Sequence, residues 1–332
     1  MRTLLFCIII GCSLSSCEQL LIQPKSDSKP QASFDSLWQT VHERYSYFTL
    51  KGIDWDSVKT VYQGRIHNEM SDRELFKVLQ EMLFVLRDGH VNLESPFDVA
   101  RNWNWYLDRP ENFNYSIIER NYLKDDYEIT GPFINRCIGE VGYVYYGSFN
   151  AGFRENELDA LLAKYQNAKG LIIDLRSNGG GSLDNARTLL RRFIDQKRPV
   201  LQWEYKRGKG KEDFYPAQVE HSEPGGNYRF TGKIILLTNR SSYSAATFFT
   251  AMMKSIPGVI SVGDTTGGGG GLPWLAELPN GWTYRFSSTR GKMLNGQDLE
   301  PGIPVDSVIT QTPENIASGV DPILEGALAL FN

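Results

Sequence analysis

Cysteine is scarce in this 332-residue chain: there are four, and Cys7, Cys12 and Cys17 all fall in the opening stretch. Past Cys17 only Cys137 remains, so no disulfide framework can form, and no CxxC or Cys/His spacing points to a metal. No lysine- or arginine-rich stripe is present and the net charge is -4, which removes the electrostatic footprint of a nucleic-acid binder. Internal repeats and long low-complexity tracts are absent as well. The N-terminal apolar run Leu4-Leu-Phe-Cys-Ile-Ile-Ile10 is far shorter than the ~20 residues a membrane-spanning helix takes. What is there is an ordinary globular interior, 41% hydrophobic, with material for a large core. The length suggests two domains, or one large domain with an appendage.

A short apolar run behind Arg2 reads as an export signal. It ends in Leu14-Ser-Ser-Cys17, which resembles a bacterial lipobox, where the cysteine is lipidated and becomes the new N-terminus. Ile9-Ile-Gly-Cys12 fits the same pattern but leaves a very short apolar segment, so Cys17 is preferred; a plain secretory signal is the alternative. Residues 1–17 are therefore expected to be a lipoprotein signal peptide. Residues 18–32, with Pro24, Lys25, Ser26, Lys29 and Pro30, are expected to be a flexible tether from a membrane surface. The expected location is the bacterial cell envelope, lipid-anchored at the outer membrane or periplasmic face.

Residues 33–93 read as a small helical domain. Phe34, Leu37, Trp38, Val41 and Tyr45 recur at the spacing of one buried helical stripe, and a shorter helix is expected over Trp55 to Arg65. Ser71-Asp-Arg-Glu74 is a capping box ahead of Leu75, Val78, Leu79, Met82, Leu83 and Leu86. Gly89 is expected to end that helix in a left-handed conformation. Residues 94–138 are aromatic and irregular and form a connecting segment. From 139 onward strands and helices alternate, which indicates an α/β core. Trp274 to Leu278 and Trp282 to Ser287 read as a hairpin, and Gly208 to Gly226 as a polar loop.

Two segments of that core carry chemistry. A buried strand, Lys233 to Leu237, passes through a polar turn into a helix that opens at Ser244-Ala-Ala246. A serine there sits at the positive end of the helix dipole, among N–H groups without intrahelical partners, a good place for a nucleophile and a developing oxyanion. The plainer reading is that Ser244 and Ser242 only cap the helix. The second segment is Asp174-Leu-Arg-Ser-Asn-Gly-Gly-Gly181, which closes an apolar strand. Three glycines let backbone N–H groups approach a ligand. A phosphate loop would need a following Lys-Ser/Thr, which is missing, and a tight turn without function stays open.

Together with Val262-Gly-Asp-Thr-Thr-Gly-Gly268, these motifs resemble, in order and spacing over roughly residues 139 to 310, the S41 family of serine peptidases. That family includes the C-terminal processing proteases and the tricorn core protease. The resemblance implies an α/β fold: a ClpP/crotonase-like spiral core with a mixed sheet and helices over residues 139–332, preceded by a small N-terminal helical bundle. It places the nucleophile on Ser244 and the oxyanion donors on the N–H groups of Gly180 and Ala245. Where the processing proteases carry a lysine, this chain has Gly269, and no lysine occurs between Lys254 and Lys292. The tricorn-like branch uses histidine instead, and His90, in Asp-Gly-His, matches it. Glu300 falls near the tricorn acidic position, with Asp88 as local competitor. Gly89 stands where tricorn has a linking serine, so the acid would reach His90 directly or through water. The implied partners are peptides or unfolded proteins, with neither a metal nor an organic cofactor. Residues 94–135 are too few for a PDZ module. A catalytically silent member that binds an apolar or peptide ligand is the rival reading; the Trp-rich stretch Asn102 to Trp105 mildly favours it.

Overall fold

The computed structural model describes residues 29–102 and 109–332. Cys17, the leader, most of the tether and the tryptophans Trp103 and Trp105 lie outside the described residues.

Helix α1 (Pro30–Arg44) starts on a proline, whose missing N–H costs nothing in a first turn, and buries Phe34, Leu37, Trp38 and Val41. A single turn, α2 (Phe48–Lys51), ends at Gly52 with φ 62°. The Asp54 side chain caps α3 (Trp55–Gln63) by accepting from the N–H groups of Asp56 and Ser57. The Ser71/Glu74 capping box opens α4 (Asp72–Phe84) as the spacing predicts. Trp38 and Trp55 lock α1 to α3 by exchanging indole N–H to carbonyl hydrogen bonds of 3.0 and 3.1 Å.

The left-handed residue after α4 is Arg87, at φ 47°, and not Gly89 as expected. Gly89 is needed for another reason: a Cβ there would lie 2.7 Å from the Tyr243 hydroxyl.

Strands β1 (Asn92–Glu94) and β2 (Val99–Arg101) follow, then β3 (Glu128–Thr130), β4 (Phe133–Ile138) and β5 (Val141–Tyr145). Helix α5 (Glu155–Tyr165) crosses to β6 (Gly170–Asp174), and α6 (Leu183–Leu190) leads to β7 (Arg198–Tyr205) and β8 (Gln218–Ser222). Next come β9 (Lys233–Thr238), α7 (Ala245–Met253), β10 (Ile260–Gly263), β11 (Pro273–Glu277), β12 (Thr283–Ser287), β13 (Thr289–Lys292) and β14 (Ser307–Val308). Strand β8 lies within the stretch expected to be a polar loop; it pairs antiparallel with β7.

The main sheet has the order β14-β10-β9-β6-β5-β4-β3, parallel from β14 to β5 and antiparallel beyond. All five residues of β6 are buried, the near-continuous apolar run of a central parallel strand covered on both faces. The α/β expectation and its mixed sheet hold.

A second sheet, β11-β12-β1-β2, positions the site. It joins the N-terminal segment to the α/β core by pairing Asn92 with Arg285, Leu93 with Tyr284 and Glu94 with Thr283. The helical segment completes its own core with Leu278, Trp282, Tyr284 and Phe286 from the far hairpin. Two stretches almost two hundred residues apart are thereby fixed against each other.

Candidate active site

Strand β9 delivers the chain to Ser244, whose backbone sits at φ 54° and ψ -117°. A non-glycine residue in that region costs about 1–3 kcal/mol and persists only where its surroundings impose it. Here the Ser244 N–H donates to Gly268 O (2.9 Å) and the Tyr243 N–H to Asn178 O (3.0 Å), which clamp the turn from both sides. The plain capping reading fails at Ser244, because its side chain makes no cap hydrogen bond. Ser242 is the structural serine: its hydroxyl donates to Leu175 O (2.8 Å) and accepts from the Asn239 N–H (3.1 Å), fully buried.

Ser244 Oγ lies 2.9 Å from His90 Nε2. The histidine arrives on the loop between α4 and β1, with its ring 5.1 Å from that of Tyr243. Burial drives its pKa down from 6.5 to about 4; Asp88 opposes the fall, while the positive charges of Arg285 and Lys51 add to it. The imidazole is therefore neutral at pH 7, with Nε2 able to take a proton from the serine.

The other ring nitrogen decides the acid. His90 Nδ1 lies 3.3 Å from Ser287 Oγ and 4.0 Å from Asp88 Oδ1, and the same Oδ1 accepts the His90 N–H at 2.8 Å. Burial pushes Asp88 up, but Lys51, His90 and the hydroxyl of Ser287 outweigh it and hold the carboxyl below its ordinary value. Ser287 supports that carboxylate loosely, leaving Oδ2 buried without a close partner.

Glu300, expected to orient His90, is engaged elsewhere. Its Oε1 accepts from Lys51 Nζ at 2.6 Å and its Oε2 from the Gly270 N–H at 2.9 Å. Burial raises its pKa to about 7, against the attraction of Lys51. Lys51 also donates to Leu86 O (3.2 Å) and Arg87 O (2.8 Å). Glu300 thus ties the glycine-rich loop to the histidine loop through Lys51, and the group beside Nδ1 is Asp88 with Ser287.

The expected oxyanion donors divide. Ala245, first residue of α7, keeps its N–H free of protein acceptors among the described residues. Gly180 lies against Ser244 and Ala245, with φ 94°, and a Cβ there would meet Ala245 N at 2.9 Å. Its own N–H, however, donates to Asn178 Oδ1 at 3.0 Å, so it is not a free donor as expected. Gly179 and Gly181 line the cleft on either side of it. Asn178 shapes the whole loop, since its Nδ2 donates to Tyr146 O (2.7 Å) and its carbonyl holds Tyr243.

A model of peptidase family S41 matches residues 140–309, half of the chain, and a tricorn protease C1 domain model matches residues 26–84. This chain belongs to peptidase family S41. The carboxy-terminal processing protease CtpA of Bacillus subtilis is 29% identical over 174 residues, covering 51% of this chain and 35% of that protein. The chain thus spans about a third of the length of the curated relatives it matches. A crystal structure of a protein from Parabacteroides merdae superimposes with TM-score 0.88 at 41% identity, covering 92% of this chain and 97% of that one. Mature CPAF shares the fold alone, with TM-score 0.67 at 12% identity over 91% of this chain and 96% of its own.

The position where the resemblance to the processing proteases would put a lysine has no room for a side chain. Gly269 has φ 75°, and a Cβ on it would lie 2.5 Å from the Tyr243 ring. Lys292, the next lysine after Lys254, pairs with Asp298 (3.2 Å) and Glu204 (3.8 Å). Sequence reasoning missed Ser287, Lys51, Arg285 and Asn178. Only Asn178 had a local signal, its place beside the three glycines; the others meet the site through contacts between distant segments.

Proposed function

We propose that this chain hydrolyses peptide bonds as a serine peptidase, with Ser244 as nucleophile and His90 as general base. One observation carries the reading: the 2.9 Å approach of Ser244 Oγ to His90 Nε2 at a strained strand-to-helix turn. Ser244 Oγ attacks the scissile carbonyl while Nε2 takes its proton. The negative charge that develops on the carbonyl oxygen falls beside the Ala245 N–H and the glycine loop. The C–N bond then breaks, Nε2–H protonates the leaving amine, and water, deprotonated by the same nitrogen, releases the acyl group. Nδ1–H donates towards Ser287 and Asp88, whose negative charge stabilises the transient imidazolium.

The names of the relatives, a carboxy-terminal processing protease and a CtpA-like serine protease, support a peptide or unfolded-protein substrate. We also propose that Cys17 is lipidated and holds the protein at the cell envelope, a reading that rests on the leader sequence. Among the described residues, none at the site favours a silent binding protein.

A fluorophosphonate probe tests the central claim. Wild type is expected to label and Ser244→Ala to lose the label. Labelling that survives Ser244→Ala removes the nucleophile, and a folded, accessible wild type that never labels removes the activity. Radiolabelled palmitate incorporation, lost in Cys17→Ser, tests the anchor.

A further inference from the structure

The cleft in front of Ser244 encloses about 410 Å³ and is lined by glycines, small polar residues and a few apolar ones. Among its described lining residues one carries a permanent charge, Arg285, and none is a carboxylate. Its side chain is exposed, unlike its strand neighbours Tyr284 and Phe286, which point into the helical core.

Arg285 is aimed. Its Nε donates to Asn92 Oδ1 from the paired strand, and Asn92 is itself buried and donates to Ala100 O at 3.4 Å. No described group takes its two terminal nitrogens, which leaves the planar fork open to the cleft. Alternation along β12 puts Arg285 on the same face as Ser287, about 7 Å further out. Ser287 lies under His90, and the positive charge of Arg285 acts on the imidazole.

Which side of the substrate meets it follows from the chemistry. Nε2–H delivers its proton to the leaving amine, so the leaving fragment crosses the histidine side of the cleft, where Arg285 stands. The geometry points to Arg285 as a carboxylate-binding subsite for the leaving fragment, within about two residues of the scissile bond at roughly 3.3–3.6 Å per residue. This rests on the peptidase reading for its orientation. The carboxylate can be the substrate's free C-terminus or an Asp or Glu side chain near it, and the two sources are separable.

The test is binding to Ser244→Ala, which needs no turnover. Fluorescence anisotropy would compare four forms of one labelled peptide: free acid or C-terminal amide, each with Glu or Gln two residues from the end. At least one carboxylate form is expected to bind about tenfold tighter than the neutral amide, with the advantage falling as salt rises. The form that does so names the source. Adding Arg285→Gln should bring that ratio to near one, and Arg285→Lys should restore part of it, since a lysine keeps the charge but loses the fork. A ratio near one in the Ser244→Ala parent, or one unchanged by Arg285→Gln, overturns the proposal. Cleavage of the same peptides by wild type, followed by mass spectrometry, judges the peptidase reading separately.

Discussion

Asp88→Asn is the substitution that best separates the acid seen beside His90 from the one the family resemblance implies. Asparagine keeps an Oδ1 acceptor for the His90 N–H, now at 2.8 Å, so the loop retains its anchor. What is lost is the charge 4.0 Å from Nδ1. At an effective dielectric of about 20, a pair of unit charges at that separation is worth about 4 kcal/mol, the support withdrawn from the imidazolium in the transition state. Converted to rate, kcat/KM should fall by about 10³. Ser287→Ala removes the nearer partner of Nδ1 but leaves the charge, and a buried donor without its acceptor costs about 1–3 kcal/mol, roughly five- to 150-fold. The assay is peptide cleavage as a function of pH. Asp88 holds the His90 pKa up, so removing it should move the acid limb below about 4 while the plateau drops. A variant that merely loosened the site would relieve the burial and move the limb up towards 6.5. The reasoning is refuted if folded Glu300→Gln costs as much kcat as Asp88→Asn, or if the limb in Asp88→Asn rises.

Three further outcomes are expected. Ser244→Gly and Ser244→Ala should both be inactive, but the glycine variant should be about 1 kcal/mol more stable in urea melts, because only glycine adopts φ 54° without strain; a more stable alanine variant would contradict this. Lys51→Met leaves Glu300 buried without its counter-charge and should cost about 3–5 kcal/mol well above pH 7; because losing Lys51 lifts the carboxyl's pKa further, the cost should shrink as pH falls towards 7 and level off below it, and a cost independent of pH would count against the ion pair. Glu300 itself is raised from 4.5 to about 7, so its contribution to stability is full below pH 4.5 and is lost as pH rises through 7. Melting temperatures of wild type relative to Glu300→Gln should therefore fall across that window and level off above it; a difference that grows with pH would be inconsistent.

Much of the frame was legible because it is local. The Ser71/Glu74 capping box, the apolar stripe of α1 and the buried run of β6 each involve residues within a turn or two, where propensity and periodicity act directly. Ser244 could be picked out because a strand ended and a helix began beside it. Gly89 was singled out correctly for its lack of a side chain but for the wrong reason, since the demand comes from Tyr243 across the site and not from the backbone of its own turn. The choice of acid was hidden for the same kind of reason. Glu300 is withdrawn from His90 by Lys51, 249 positions away, and Nδ1 is met by Ser287, 197 positions away.

The amino-acid sequence by itself therefore determined the α/β class, the strand-to-helix position of Ser244 and the histidine that faces it. Each follows from short-range pattern or from motif order. The tertiary structure alone decided the strained backbone at Ser244, the engagement of the Gly180 N–H by Asn178, the pairing of Glu300 with Lys51, and the place of Asp88 and Ser287 behind His90. Those outcomes depend on which buried charges and donors end up within a few ångströms of one another. Such distances are set by the pairing of β1 with β12 and by packing, and no local stretch of chain encodes them.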